Sequence, residues 1–242
     1  MHFLLLITSI LVIGFTSLVS VPGSPYLIGG MTQADISNMF ATAITPAGIT
    51  FAIWSLIYLS WIIAGIYIAF FSKKKPNPPT PLHRGAIGAF SSAIALTALW
   101  LIPWGNIWIG TALIVMLTIL WLLGYVFSHT RQVQSILRSS IEITFAWIIM
   151  ATALNITVWI RSLGSTFGAP GDIYYAVFSL GALLIWVAWL QCRYRAYIIS
   201  LVFLWTLFGV WIAHPEIEER AAVIIYALVT LVNMGYSYSK KK

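Results

Sequence analysis

The sequence predicts an all-α, polytopic transmembrane bundle of about eight helices, on three observations. The first is composition: 60% of the 242 residues are hydrophobic, only 8% are charged, and the mean hydropathy is +0.93. A soluble domain carries roughly a quarter charged residues, so this chain cannot cover itself with polar surface in water. The second is segmentation, because apolar runs recur at about the 20-residue length that crosses a hydrocarbon core. The third is charge asymmetry along the breaks between them.

The runs lie near 3–20, 47–71, 86–104, 107–127, 139–160, 174–192, 196–213 and 221–238. The first, "HFLLLITSILVIGFTSLVS", has the small residues of a cleaved leader but no Lys or Arg in front of it, which favours a retained helix. A long segment, 21–45, follows and can fold over the helix ends as a lid. The second span opens with Thr45 as a candidate cap and Pro46 suited to the first helical position. Ala47 and Gly48 keep that helix end thin. "SKKKPNPPTPLHR" breaks the chain before the third span, "PWGN" turns it into the fourth, and "GSTFGAPGD" separates the fifth from the sixth. "SSIE" (139–142) opens the fifth span and reads as a capping box, with Ser139 as cap and Glu142 reaching back.

Eleven of the 13 basic residues fall on one side of this layout, leaving only Arg161 and Arg220 on the other. Basic loops stay inside, so both termini are expected to be cytoplasmic in a cell membrane. The net charge of +7 is thereby explained without a nucleic-acid partner. A single cysteine, Cys192, excludes an internal disulfide framework. The four histidines stand in separate segments without metal-ligand spacing, so no metal site is expected.

Glu142 is the one acid inside a span, and it lies at a span's end. A proton-coupled pump would need ionisable groups in mid-membrane. Asn155, Thr152, Thr157 and Asn233 are neutral, and interhelical hydrogen bonding accounts for them. The 12 tryptophans divide by depth. Trp100, Trp104, Trp108, Trp159, Trp189 and Trp211 fall near span ends, where an interfacial belt accounts for them. Trp61, Trp147 and Trp205 lie near mid-span. Trp54, Tyr58 and Trp61 share one helix face at i, i+4 and i+7. Such a stripe serves packing more often than a ligand, and spacing alone leaves both open.

"TPAGITFAIWSLIYLSWIIAGIY" (45–67) resembles the second-helix signature of the translocator protein / tryptophan-rich sensory protein family (TspO/MBR). "LTALWLIPWGN" (96–106) is similar to that family's third-helix pattern, and "AWIIMATALNITVW" (146–159) to its fifth. There are departures. The W-x-P-P before the second helix is reduced to "ITPAG", and Thr97 replaces the usual third-helix Asn. Residues 1–160 thus look like the family's five-helix bundle, and 161–242 like an additional three-helix membrane segment.

The resemblance implies a hydrophobic pocket beneath the first outer loop, taking porphyrins or other tetrapyrroles, sterols or synthetic aromatic ligands. The matching positions are Trp54, Thr97, Trp100, Trp147 and Ala151, and Tyr58 joins them from the stripe. Two indoles facing one apolar cavity suit a flat π-ligand. Some bacterial members promote light- or oxygen-dependent porphyrin breakdown with the tryptophans matching Trp54 and Trp147. Here no nucleophile–base pair or metal set is visible, so no catalytic residue is assigned and no cofactor is expected beyond a tetrapyrrole ligand. Binding with a sensory, regulatory or transport-facilitating role therefore leads. A porphyrin-degrading enzyme and a secondary transporter of a neutral solute are the alternatives. The partners expected are membrane lipids and a small apolar ligand. Small residues such as Gly85 and Gly88 also permit a homodimer.

Overall fold

The computed structural model describes residues 3–20, 22–71, 84–130 and 135–239. The long helices stand where the apolar runs predict them. They are α1 (Leu4–Val19), α3 (Ile53–Ile66), α4 (Arg84–Gly105), α5 (Ile109–Ser128), α6 (Ser135–Ser162), α7 (Ile173–Tyr194), α8 (Tyr197–Ala213) and α9 (Ile217–Ser239). A short helix, α2 (Gln33–Met39), lies within the segment expected to form a lid. No strand occurs among the described residues. Lys73, Lys74, Lys75, Arg131 and the lysines at 240–242, which carry much of the charge asymmetry, lie outside the described residues.

Among the described residues, six helical segments are long and apolar enough to cross a membrane, and the first of them joins α3 to its flanking turns as Gly48–Phe71. α1 and α8 are as apolar but have 16 and 17 residues. At about 1.5 Å per residue they fall short of the roughly 30 Å hydrocarbon core. Among the described residues, six of the eight expected spans thus have the full length, and the other two are shorter apolar helices packed among them.

The first five long helices close a ring. α1 packs on α3 and α4, α4 on α5, α5 on α6, and α6 back on α3. α8 docks on α6, while α7 and α9 pack on α8 and on each other. α6 is thus shared by both groups, and residues along its length, including Ile141, Ala146, Ile148 and Val158, are fully buried. Gln191 ties the second group together: its amide nitrogen donates to the Asn233 carbonyl at 3.0 Å, and its oxygen accepts from the Ser200 hydroxyl. The expected interhelical role of Asn233 is filled by its backbone carbonyl; its side-chain oxygen lies 3.7 Å from the Cys192 thiol.

Two predicted helix starts are corrected. α6 begins at Ser135, so Ser139 lies a turn inside it and cannot be its cap. Glu142 instead accepts from Arg138 Nε at 2.6 Å, one helical turn away. The same guanidinium donates to the Tyr194 and Arg195 carbonyls, tying α6 to the α7–α8 turn. A capping box does form, at Thr32 and Asp35 of α2. Hydrogen bonds from the Thr32 backbone N–H and hydroxyl hold the Asp35 carboxyl below its ordinary range. At α3, Thr45 caps nothing: its hydroxyl oxygen accepts from the Thr42 N–H at 2.8 Å. Pro46 stands before the helix, and a 3₁₀ turn, Gly48–Ala52, leads in from Ala47.

The thin helix end meets α8 at Ala47, whereas a Cβ at Gly48 would find only Ala34 Cβ, at an ordinary 3.6 Å. Ala47 N–H donates to the Gly209 carbonyl at 2.9 Å, bringing α8 against the 46–50 backbone. The segment from 22 to 47 crosses the ends of several helices. Gly29 sits over Gly105 so closely that a Cβ would lie 1.9 Å from its carbonyl oxygen, and Ala43 N–H donates to the Gly168 carbonyl at 3.0 Å.

Candidate binding cavity

Under that covering segment, side chains from several elements meet at one small cavity. Ile44 and Pro46 line it from the strap leading to α3, Phe51 from the 3₁₀ turn, and Trp54 from the first turn of α3. α4 contributes Trp100 and Trp104, α5 Met116, and α6 Trp147, Met150, Ala151, Leu154 and Asn155. Leu180 and Leu183 of α7 and Thr206 of α8 complete the wall. Of the six residues expected from sequence, Trp54, Trp100, Trp147 and Ala151 come together here. Tyr58 packs between Trp54 and Trp61, with ring centroids 5.6 and 5.3 Å away, and stands outside the cavity wall. Thr97 is buried one turn before Trp100, its hydroxyl donating to the Ile94 carbonyl at 2.7 Å, and stands outside the cavity wall.

The belt reading of Trp100 and Trp104 is corrected. They are 5% and 2% exposed and stack at 4.9 Å with 26° between their planes. The Gly105 end of α4 is covered by the 28–30 turn, so position near a span end does not place a residue at the lipid headgroups. Trp108, Trp159, Trp189 and Trp211 do reach the surface. Trp205 instead bridges inward, its N–H donating to the Thr50 carbonyl at 2.9 Å.

The cavity is closed upon itself. Its volume is about 30 Å³, room for one water, against the roughly 300–1,000 Å³ of drug-sized ligand sites. Trp54 and Trp147 meet edge to face at 6.3 Å and 84°, and Phe51 meets Trp147 the same way at 6.0 Å. Indole nitrogens only donate. Trp100 donates to Asn155 Oδ1 at 3.3 Å, which gives Asn155 its interhelical role. The N–H groups of Trp104 and Trp147 are buried without a partner. An unpaired buried donor costs about 1–3 kcal/mol, and both of these belong to residues that line the cavity.

Sequence reasoning missed Trp104, Phe51 and the α7 and α8 wall. The spacing of Trp104, four residues after Trp100, carried a signal for one shared face. Nothing local could signal Leu180, Leu183 or Thr206.

Two larger hollows lie elsewhere. An open-sided apolar groove of about 590 Å³ runs between α3, α6 and α8, past Leu56, Ser60, Ile143 and Trp205. A more polar hollow of about 410 Å³ lies at the covered end, beside Thr45, Pro170, His214 and Glu219.

The family profile described as TSPO-like protein matches residues 2–237 and so takes in α7, α8 and α9 with the first five long helices. No curated protein and no solved structure matches the chain. With that match and six helices able to cross a bilayer, the chain belongs to the TSPO-like protein family and is a multi-pass membrane protein.

Proposed function

We propose that this protein binds an apolar aromatic or lipid-like molecule, of tetrapyrrole or sterol type, among Trp54, Trp100, Trp104 and Trp147, in a sensory, regulatory or transport-facilitating role. The observation that carries the reading is the convergence of four indoles on one cavity, two with buried N–H groups that lack an acceptor. The ligand then combines an aromatic or apolar body with an oxygen acceptor, as a propionate-bearing porphyrin or a ketone does. Because the cavity holds only about 30 Å³, binding requires the strap at 42–47 and the Trp54 and Trp147 rings to move apart. The face-on contact with the ligand replaces their edge-to-face contact with each other.

Titrating the purified protein in nanodiscs with protoporphyrin, in dark and light, tests this. Saturable tryptophan quenching supports binding, and light-dependent loss of the porphyrin band marks chemistry on the ligand. Trp54→Phe and Trp147→Phe should each weaken binding about 2- to 10-fold, the worth of an offset stack beyond area. Trp108→Phe and Trp211→Phe, away from the cavity, should bind like the parent. Equal affinity across all four variants would reduce the cluster to packing.

The cell-membrane location with cytoplasmic termini is part of the same proposal and rests on the basic-residue asymmetry. In a Cys192→Ser background, Pro78→Cys should resist an impermeant thiol reagent added from outside. Labelling there would invert the topology.

A further inference from the structure

The strap that carries Ile44 and Pro46 onto the cavity wall is fastened at its other face by a histidine. His214, in the turn between α8 and α9, is buried, with both ring nitrogens on acceptors. Nε2 lies 3.0 Å from the Thr45 carbonyl oxygen, and Nδ1 lies 3.0 Å from Glu219 Oε2. A neutral imidazole has one N–H and one lone pair. The arrangement is satisfied only when one extra proton resides in the pair, on the imidazole or on the carboxyl.

We propose that His214 and Glu219 form a proton-dependent latch on the 42–47 strap. With the proton present, both contacts of His214 are hydrogen bonds, and the strap is held to the start of α9. With it gone, the single N–H left on the ring goes to the Glu219 carboxylate, the stronger acceptor, and Nε2 turns a lone pair to the Thr45 carbonyl oxygen, so the strap is released. Glu219 is 5% exposed, and its other oxygen, Oε1, is buried without a partner, so no second donor competes with the imidazole for that carboxylate. The other charged groups nearby are accounted for. Glu216 lines the same polar hollow. Arg220 donates from Nε to the His214 carbonyl at 3.2 Å and lies over the Trp211 ring. Asp172, at the start of α7 next to Gly171, accepts from the Gly168 and Tyr175 N–H groups. The strap residues in the hollow, Thr42 and Thr45, carry no charge.

The latch stands whatever the cavity binds, and its test reads the strap alone. Hydrogen exchange of the full chain in nanodiscs, corrected for the intrinsic rate, reports the N–H groups of Ala43, Thr45 and Ala47. These are bonded to the carbonyls of Gly168, Thr42 and Gly209. Protection should fall about ten-fold or more on raising the pH from about 5 to about 8. That is the loss of a hydrogen bond to a charged group. Glu219→Gln should flatten the profile while keeping the strap protected, since an amide both donates and accepts. His214→Gln should flatten it too, and serves if the first variant does not fold. Glu216→Gln should leave the profile as in the parent. A pH-independent parent overturns the latch, as does a Glu219→Gln or His214→Gln variant that keeps the parental profile. A profile abolished by Glu216→Gln would do the same.

Discussion

Gly209→Ala is expected to destabilise the bundle by about 1–3 kcal/mol, the usual cost of forcing extra volume into a packed contact. The sign is the informative part. In an open helix the same change is worth up to about 1 kcal/mol of stability, because alanine is the better helix former. At position 209, however, a Cβ would lie 1.9 Å from Thr50 Oγ1 and 3.0 Å from Pro46 Cβ. Thr50 is buried, so it cannot swing into open space. Either α8 retreats or the 46–50 turn does, and both movements break the Ala47 N–H bond to the Gly209 carbonyl. They also strain the Trp205 bond to the Thr50 carbonyl. Gly88 has nothing within 4 Å of its missing Cβ, so Gly88→Ala should be neutral or stabilising. Thr50→Ala should recover part of the loss in a double-mutant cycle, because the two positions share one contact. Thermal unfolding in nanodiscs reads the parent and the four variants. A Gly209→Ala variant as stable as Gly88→Ala would mean α8 is free to slide on α3.

This contact separates what the sequence makes legible from what it does not. Small residues at 47 and 48 announce that something approaches the start of α3, since thinness has no other local use there. The partner is a glycine some 160 positions later, and no spacing rule links the two. The eight long helices were legible for the opposite reason, because membrane length and hydropathy are properties of single segments. "SSIE" at 139–142 matches a capping box residue for residue, yet α6 starts at Ser135 and Glu142 pairs with Arg138. A local pattern cannot tell a helix end from one turn inside. Trp104 illustrates the same limit for depth. Its position near a span end predicts a headgroup environment, but the segment folded over α4 replaces lipid with protein. Four of the wall residues, Trp54, Trp100, Trp147 and Ala151, were readable as matches to family blocks on α3, α4 and α6. The α7 and α8 portion depends on tertiary packing alone.

The stripe Trp54–Tyr58–Trp61 divides into a ligand end and a packing end, and Trp61 should carry the largest single cost. Trp61→Ala is expected to destabilise by about 3–5 kcal/mol, as for other fully buried aromatic truncations. Its side chain is 0% exposed and is the largest of the fully buried ones. Its N–H donates to Thr144 Oγ1 at 2.8 Å, joining α3 to α6 in the shared core. Trp61→Phe should cost less, retaining most of the volume while losing that hydrogen bond. Trp54, one end of the same face, is only half-buried and opens on the cavity, so Trp54→Ala should cost clearly less stability than Trp61→Ala. Its effect should fall on ligand affinity. The two ends thus predict opposite rankings in two assays: unfolding places Trp61 first, and porphyrin titration of folded protein places Trp54 first. If both assays rank them alike, the face acts as one packing surface and the cavity has no separate role. If the rankings cross, one helix face divides between holding the bundle together and meeting what it binds. The boundary falls at Tyr58, whose ring packs against both tryptophans.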